Sequence, residues 1–260
     1  MRYLILGCGW VGTFVAKECL AAGHEVWAST RSLEKCHHLQ GDGIFAFVLD
    51  FDEDLTAPAS LPYFDSILVS VPATSKSAVS EIQLRFERVR RFLAQLNYGK
   101  IIFLSSVGIY PDVSKLIRED SFEDRELNPR LLEAEHRMQQ LPGVVIYRLG
   151  GLFGLDRIFA RYFQGKVCTT GEQLANFVYI EDVSRLIILG IPHSFVHGIY
   201  NVVTPMHPLK EAVIRASAAK YQLDLPLRFE AGERFKKEVC GDRIRQELNY
   251  TFKYASPLDF

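Results

Sequence analysis

The chain has 260 residues, 30 of them Lys or Arg and 31 Asp or Glu, with 48% hydrophobic and 23% charged content. That size and balance fit one large α/β unit, or a nucleotide domain with a small appendage, able to bury a sizeable core. A net charge of −1 offers no electrostatic footprint for nucleic acid or a membrane surface, so neither partner is expected. Five cysteines (Cys8, Cys19, Cys36, Cys168, Cys240) are odd in number and without metal-ligand spacing, which predicts reduced thiols and no metal site. The first strand begins at the N-terminus, leaving no room for a signal peptide, and no apolar run approaches transmembrane length. A cytoplasmic protein is the expectation.

In chain order, Tyr3-Leu4-Ile5-Leu6 reads as a buried strand stopping at Gly7. Val11, Phe14, Val15 and Cys19 then fall at helical spacing, with Gly23 as a left-handed cap. Glu25–Ala28 and Phe45–Leu49 read as the second and third strands, and Ser66–Val71, broken by Pro72, as the fourth. Ile82, Phe86, Val89, Leu93 and Leu96 make a helical stripe, followed by the strand Ile101–Leu104. Strands alternating with helices predict a parallel sheet with right-handed crossovers, a Rossmann-type doubly wound α/β fold. After about Gly150 the alternation loosens into shorter elements and loops. We therefore expect a nucleotide-binding domain over 1–150 and a small C-terminal substrate-side region over 151–260, packed on the same domain over the carboxyl ends of the strands.

Gly7-Cys8-Gly9-Trp10-Val11-Gly12 matches G-x-G-x-x-G between a strand and a helix, the context that gives this motif its meaning. Gly7 permits the tight turn, Gly9 lets the backbone approach a pyrophosphate, and Gly12 lets helix pack on strand. Trp10 and Val11 open the helix, whose N–H groups and partial positive charge suit phosphates. A glycine turn without a ligand is the alternative. The second strand runs out into Ser29-Thr30-Arg31-Ser32, with no acid before Glu34. A carboxylate is missing where NAD would use one for the ribose 2′-hydroxyl, and Thr30, Arg31 and Ser32 suit a 2′-phosphate. NADP is therefore favoured, with NAD as the alternative if Arg31 is only a solvated surface residue. Asp50, after the third strand, is a candidate adenine contact or a loop cap. Val71, ending the fourth strand, is grouped with the cofactor contacts.

Four further segments carry a family resemblance. Phe103-Leu104-Ser105-Ser106-Val107-Gly108-Ile109-Tyr110 resembles the "SS-x-x-x-Y-G" segment of the extended short-chain dehydrogenase/reductases, the NAD-dependent epimerases and dehydratases acting on nucleotide sugars. Tyr147–Gly154 resembles their "R-x-x-x-x-Y-G", Asn176–Val183 their "F-V-H-V-x-D-V", and Gly198–Val202 their "G-x-Y-N-V". With the glycine loop, these stand in the family's order. The resemblance implies a dinucleotide cofactor, a carbonyl or nucleotide-sugar-like small-molecule substrate, and epimerase, dehydratase or reductase chemistry. In the family, helices of the region holding Arg85, Arg88, Arg90 and Arg91 pair across a dimer; this leaves a homodimer open, against the plainer reading of a solvated face.

The family's chemistry uses a Ser or Thr and a Tyr-x-x-x-Lys pair, the Tyr exchanging a proton with the substrate oxygen. The Ser position carries over to Ser106. Aligned on Leu132-Glu133-Ala134-Glu135, the Tyr slot holds Leu127 and the Lys slot Leu131, so the pair is absent. Asn128-Pro129 reads as a helix N-cap and first helical residue, which starts the helix after the old Tyr slot. Tyr110 is the candidate substitute for the lost acid, with Lys115, Lys166 or Arg148 as the cation it would need and pocket packing as the alternative. Asp182 is read as a helix cap or a substrate-loop residue, and the histidines as surface or loop residues. The favoured reading is an enzyme working through Ser106 and Tyr110. The alternative is a catalytically impaired NADP(H)-binding sensor or regulatory protein.

Overall fold

A computed structural model describes residues 1–53, 60–73, 77–232 and 235–260. Seven parallel strands form the central sheet: β1 (Arg2–Leu6), β2 (Glu25–Thr30), β3 (Phe45–Val48), β4 (Phe64–Val69), β5 (Tyr98–Ser106), β6 (Val144–Leu149) and β7 (Ile199–Val202). Their spatial order is 3-2-1-4-5-6-7, so the chain reverses direction across the sheet at β1 and β4. Ligands bind in such sheets at the crevice outside the carboxyl ends of the strands flanking the reversal.

The strands are apolar because both sheet faces are covered. Along β1 the side chains alternate: Tyr3 and Ile5 enter one core, Leu4 and Leu6 the other. The first core is closed by α1 (Trp10–Ala21), α2 (Leu33–Gly41) and α5 (Ile180–Gly190), the second by α3 (Val79–Leu93) and α4 (Pro129–Gln139). The stripe Ile82, Phe86, Val89 and Leu93 is fully buried on α3. At α1 the expected glycine cap is present: Gly23 has φ +77°, its N–H reaches Leu20 O, and His24 N–H reaches Cys19 O. The Lys100 ammonium satisfies the end of α5, donating to the carbonyls of Gly190 and Ile191 at 2.8 Å and to that of His193.

The substrate-side region is less separate than residue 150 suggests, since β7 completes the central sheet from beyond that point. The rest of this region comprises α6 (Lys210–Tyr221), α7 (Asp242–Glu247) and three two-stranded parallel ladders. The ladders pair Gly151–Phe153 with Phe177–Tyr179, Val167–Cys168 with Arg228–Phe229, and Leu116–Ile117 with Glu238–Val239. Asp182 fixes the C-terminal segment, accepting from the Tyr250 hydroxyl at 2.7 Å and Lys253 N–H at 2.8 Å. It neither caps α5, whose N-cap is Tyr179, nor sits on a free loop, because the tail needs its carboxylate.

Candidate functional site

Two adjoining cavities, of about 190 and 460 Å³, lie at the carboxyl ends of β1 and β2 and share Gly7, Thr30, Arg31 and Pro72. The glycine loop forms the wall of the larger one. Gly7 has φ +76°, and a Cβ there would meet Ser70 O at 3.0 Å. Gly12 lies beneath the loop, where a Cβ would meet the Ile5 side chain at 3.0 Å. The fold itself demands glycine at both positions. Gly9 differs. It has φ −82°, is exposed, and a Cβ would meet only the Gly7 carbonyl, at 3.8 Å. Packing gives no reason for glycine here, and a side chain would fill the cradle in front of the α1 N-terminus. With no acid in the first turn of α1, that N-terminus keeps its partial positive charge for an anion. The loop is fixed from below by Ser29, whose hydroxyl accepts from Gly7 N–H at 3.1 Å and whose carbonyl accepts from Cys8 N–H at 2.8 Å.

Trp10 and Val11 line the larger cavity with Ser32, and Asp50 and Val71 line the smaller one. Ser32 caps α2, accepting from Lys35 N–H at 3.2 Å, and thereby brings Arg31 and Lys35 to the same rim. Asp50 serves as the loop cap, accepting from Asp52 N–H at 2.9 Å, while also lining the cavity. Two contributors, Arg85 and Arg157, escaped the sequence reading. Arg85 is not on a solvated face: its side chain is 12% exposed and grips Asp52 through two bonds of 2.6 and 2.9 Å. Asp52 approaches Arg31 only to 3.7 Å, so Arg85 neutralises the nearest carboxylate and leaves Arg31 charge for the cavity. Arg157 reaches the glycine-loop cavity from a turn closed by Gly154, and its neighbour Asp156 accepts the Trp10 indole N–H at 2.9 Å. That contact spans 146 residues of sequence and has no periodic or local signal.

Ser106 ends β5, two strands away from β1 in the sheet, and lines neither cavity. Its Oγ accepts from Gly108 N–H at 3.0 Å, capping a short 3₁₀ turn over Val107–Ile109. This leaves its own O–H as a donor and keeps it partly exposed. The preceding Ser105, facing the opposite side of the strand, donates to Glu135 at 2.6 Å.

For Tyr110 the expected catalytic role is corrected. The ring is 3% exposed, and its hydroxyl donates to Asn201 Oδ1 at 2.7 Å while accepting from Arg148 Nη1 at 2.8 Å. Arg148 is bound in turn to Glu135 by bonds of 3.0 and 2.7 Å, with both side chains almost fully buried. Of the three proposed cations only Arg148 meets the phenol. Lys115 lies over the Phe122 ring and Lys166 donates to the Tyr162 carbonyl. Even so, burial outweighs the attraction of Arg148 and pushes the Tyr110 hydroxyl up to about 12. A saturated, buried phenol that holds its proton so tightly is a strut between β5, β6 and β7, not an acid–base group for neutral pH.

The loss of the family's pair is built into the backbone. Asn128 caps α4, accepting from Arg130 N–H at 3.1 Å, and Pro129 is the first helical residue. Leu127 is therefore extended (φ −83°, ψ 158°) and buried against Val107, Ile109 and Tyr110. Among the described residues no group of His, Cys, Asp or Glu is placed to hold a metal ion, and no helix is long and apolar enough to cross a membrane.

Strand order and glycine loop together define a protein of the doubly wound Rossmann class. Human epimerase family protein SDR39U1 (isoform 2), solved with NADPH, superposes with a TM-score of 0.72 at 17% identity, covering 99% of this chain and 96% of that one. A UDP-glucuronic acid 4-epimerase from Bacillus cereus, solved with UDP-glucuronic acid and NAD, gives 0.74 at 14%, covering 100% and 96%. No protein-family model matches the chain. Within the class, the chain belongs to the family of Protein YeeZ from Escherichia coli K12, to which it is 30% identical across 99% of its own length and 97% of that protein's.

Proposed function

We propose that the protein is an NADP(H)-dependent oxidoreductase of the epimerase/dehydratase type, acting on a carbonyl or nucleotide-sugar-like small molecule. The observation that carries the dinucleotide is Gly9: a glycine the fold does not need, at the one place where a Cβ would obstruct a pyrophosphate. Gly7, Gly9, Trp10 and Val11 would hold the pyrophosphate, with Gly12 setting the helix against the strand. Thr30, Arg31 and Ser32 would hold the 2′-phosphate, and Asp50 and Val71 the adenosine. The cofactor supplies hydride exchange at carbon. The choice of phosphorylated cofactor rests on Arg31, which shares the Asp52 carboxylate with Arg85, and on Lys35 at the α2 N-terminus. That SDR39U1 was solved with NADPH agrees, although other structural relatives carry NAD.

On the substrate side, the Ser106 hydroxyl would donate to the substrate oxygen as charge develops there. The proton that family members pass through tyrosine must come from the substrate itself or from water, since Leu127 and Leu131 cannot carry it and Tyr110 is buried. This same deficit favours a second reading, a dinucleotide sensor without turnover.

Calorimetric titration with NADPH, NADP⁺, NADH and NAD⁺, repeated on Arg31→Ala, tests the first part. Tight NADP(H) binding selectively weakened by Arg31→Ala supports it; a preference for NAD(H) overturns the Arg31 assignment, and binding of none of the four overturns both readings. Ser106→Ala separates enzyme from sensor. Turnover falling by about 10²–10³ fits the loss of one oxyanion donor, whereas unchanged turnover removes Ser106 from the mechanism.

A further inference from the structure

A third cavity, of about 270 Å³, lies in the C-terminal region and is lined by Asp112, Gln173, Asn176, Lys210, Phe235 and Lys237 among others. Its Asp112 follows in sequence the 3₁₀ turn that Ser106 caps. The Lys237 ammonium donates to the Tyr110 carbonyl at 3.2 Å and to Asp112 at 2.6 Å. Asn176 ties the strand carrying Lys237 in place, donating to Lys237 O at 2.7 Å and accepting from Val239 N–H at 2.8 Å. Across the cavity, Lys210 at the start of α6 donates to the Gln173 side-chain carbonyl at 2.7 Å and has no carboxylate partner among the described residues.

The balance of charge is unusual. Among the described residues, two lysines and a single carboxylate, Asp112, line one cavity, and Asp112 is already engaged by Lys237. An ammonium has three donors; Lys210 spends one and Lys237 two, so each keeps a donor for a ligand. Burial, reinforced by the like charge of Lys237, lowers the Lys210 pKa from its ordinary value. Polar groups held this way cost folding free energy unless an anion completes them.

We propose that Lys210 and Lys237 form an anion subsite that holds a phosphate or carboxylate group of the substrate, so that the protein acts on an acidic small molecule. This rests on the substrate-side reading of the enzyme proposal and narrows it to anionic substrates. Lys237 links the two halves of the site. Its bond to the Tyr110 carbonyl ties the anion subsite to the turn that Ser106 caps, so a substrate anchored by its charge would be held in register with that turn.

The test is calorimetric titration of inorganic pyrophosphate, and separately of malonate, into protein saturated with NADP⁺ at constant ionic strength. Saturation keeps either anion out of the glycine-loop cavity. Wild-type protein binds at least one of them, and the one that binds identifies phosphate or carboxylate as the recognised group. Lys210→Met weakens that binding about tenfold or more, the loss of a charge-assisted hydrogen bond. Lys210→Arg retains most of the affinity, and Lys17→Met on the exposed side of α1 retains all of it. Lys210→Met breaks no ion pair, so thermal unfolding close to wild type shows that the fold survives. Failure of both anions to bind, or equal binding to wild type and Lys210→Met, overturns the proposal. NADP⁺ uptake is measured beforehand. If it fails, the dinucleotide reading falls, and the same titrations of the free protein still decide the lysine subsite through Lys210→Met against Arg157→Ala.

Discussion

The Arg157 guanidinium lies 4.0 Å from the centre of the Trp10 ring, in cation–π geometry. One residue belongs to the glycine loop and the other to the turn at Gly154–Arg157, so the glycine-loop cavity is strapped by the C-terminal part of the chain. Leu155 in that turn adopts φ +52°, a conformation that L residues rarely take. In the proposed binding mode the strap would sit beside the pyrophosphate rather than the 2′-phosphate. Arg157→Ala is therefore expected to weaken NADP(H) and NAD(H) alike, by about tenfold for one charged contact, whereas Arg31→Ala weakens NADP(H) alone. Titration of both variants with both cofactors checks this; an Arg157→Ala loss confined to NADP(H) would reassign Arg157 to the 2′-phosphate.

The three glycines of the loop should separate cleanly. Gly9→Ala changes an open helix N-cap and costs less than about 1 kcal/mol of stability, yet it should abolish dinucleotide binding. Gly7→Ala forces a positive φ on a residue with a Cβ and a contact of 3.0 Å with backbone, so it should destabilise the fold directly. Urea unfolding and cofactor titration on the two variants read the two effects apart. A Gly9→Ala protein that still bound NADPH at wild-type affinity would remove the observation on which the cofactor assignment rests.

Tyr110→Phe tests the strut. Removing the hydroxyl leaves Arg148 and Asn201 each short of a partner and should cost about 1–3 kcal/mol, with no change in the pH profile of turnover below pH 9. The sign of its pH dependence follows from the raised pKa. Folding favours the neutral phenol, so this stabilisation is complete below an unfolded value near 10 and is lost as pH rises through the folded value of about 12. Unfolding followed between pH 9 and 12 should show the wild type losing a share of stability that Tyr110→Phe never had. A turnover profile that lost a limb in Tyr110→Phe would restore the phenol to catalysis.

Glu135→Ala strands Arg148, whose guanidinium is buried against Tyr110 and α4. The expected loss is about 3–5 kcal/mol, the cost of an uncompensated buried charge, measurable as a fall in the urea midpoint. Replacing both residues by apolar ones of similar volume should recover much of it.

Sequence and structure agree where a local rule suffices. Glycine spacing, the α3 stripe, the Gly23 cap and the Asn128-Pro129 helix start are all patterns within one element, and each stands in the fold as read. What could not be read was long-range pairing. Arg85 sits on α3 among other arginines, and the approach of Asp52 and the Pro72 carbonyl from other loops pulls it into the site. Arg157 and Trp10 share nothing in sequence. The burial of Tyr110 could not be read from the end of its strand, because it depends on β7, supplied from ninety-one positions further along through Asn201.

The N-cap at Asn128 also sets what substitution can restore at this site. In relatives with the full pair, a tyrosine and a lysine one helical turn apart project from the same helix. Here the first of those positions lies outside the helix, in extended backbone beneath a hydrophobic cover. Leu127→Tyr with Leu131→Lys would restore the letters of the motif without its geometry, because Pro129 and the Asn128 cap hold the helix to its shorter length. Restoring the pair would therefore take a change of backbone at Asn128 and Pro129, which substitutions at Leu127 and Leu131 alone do not supply.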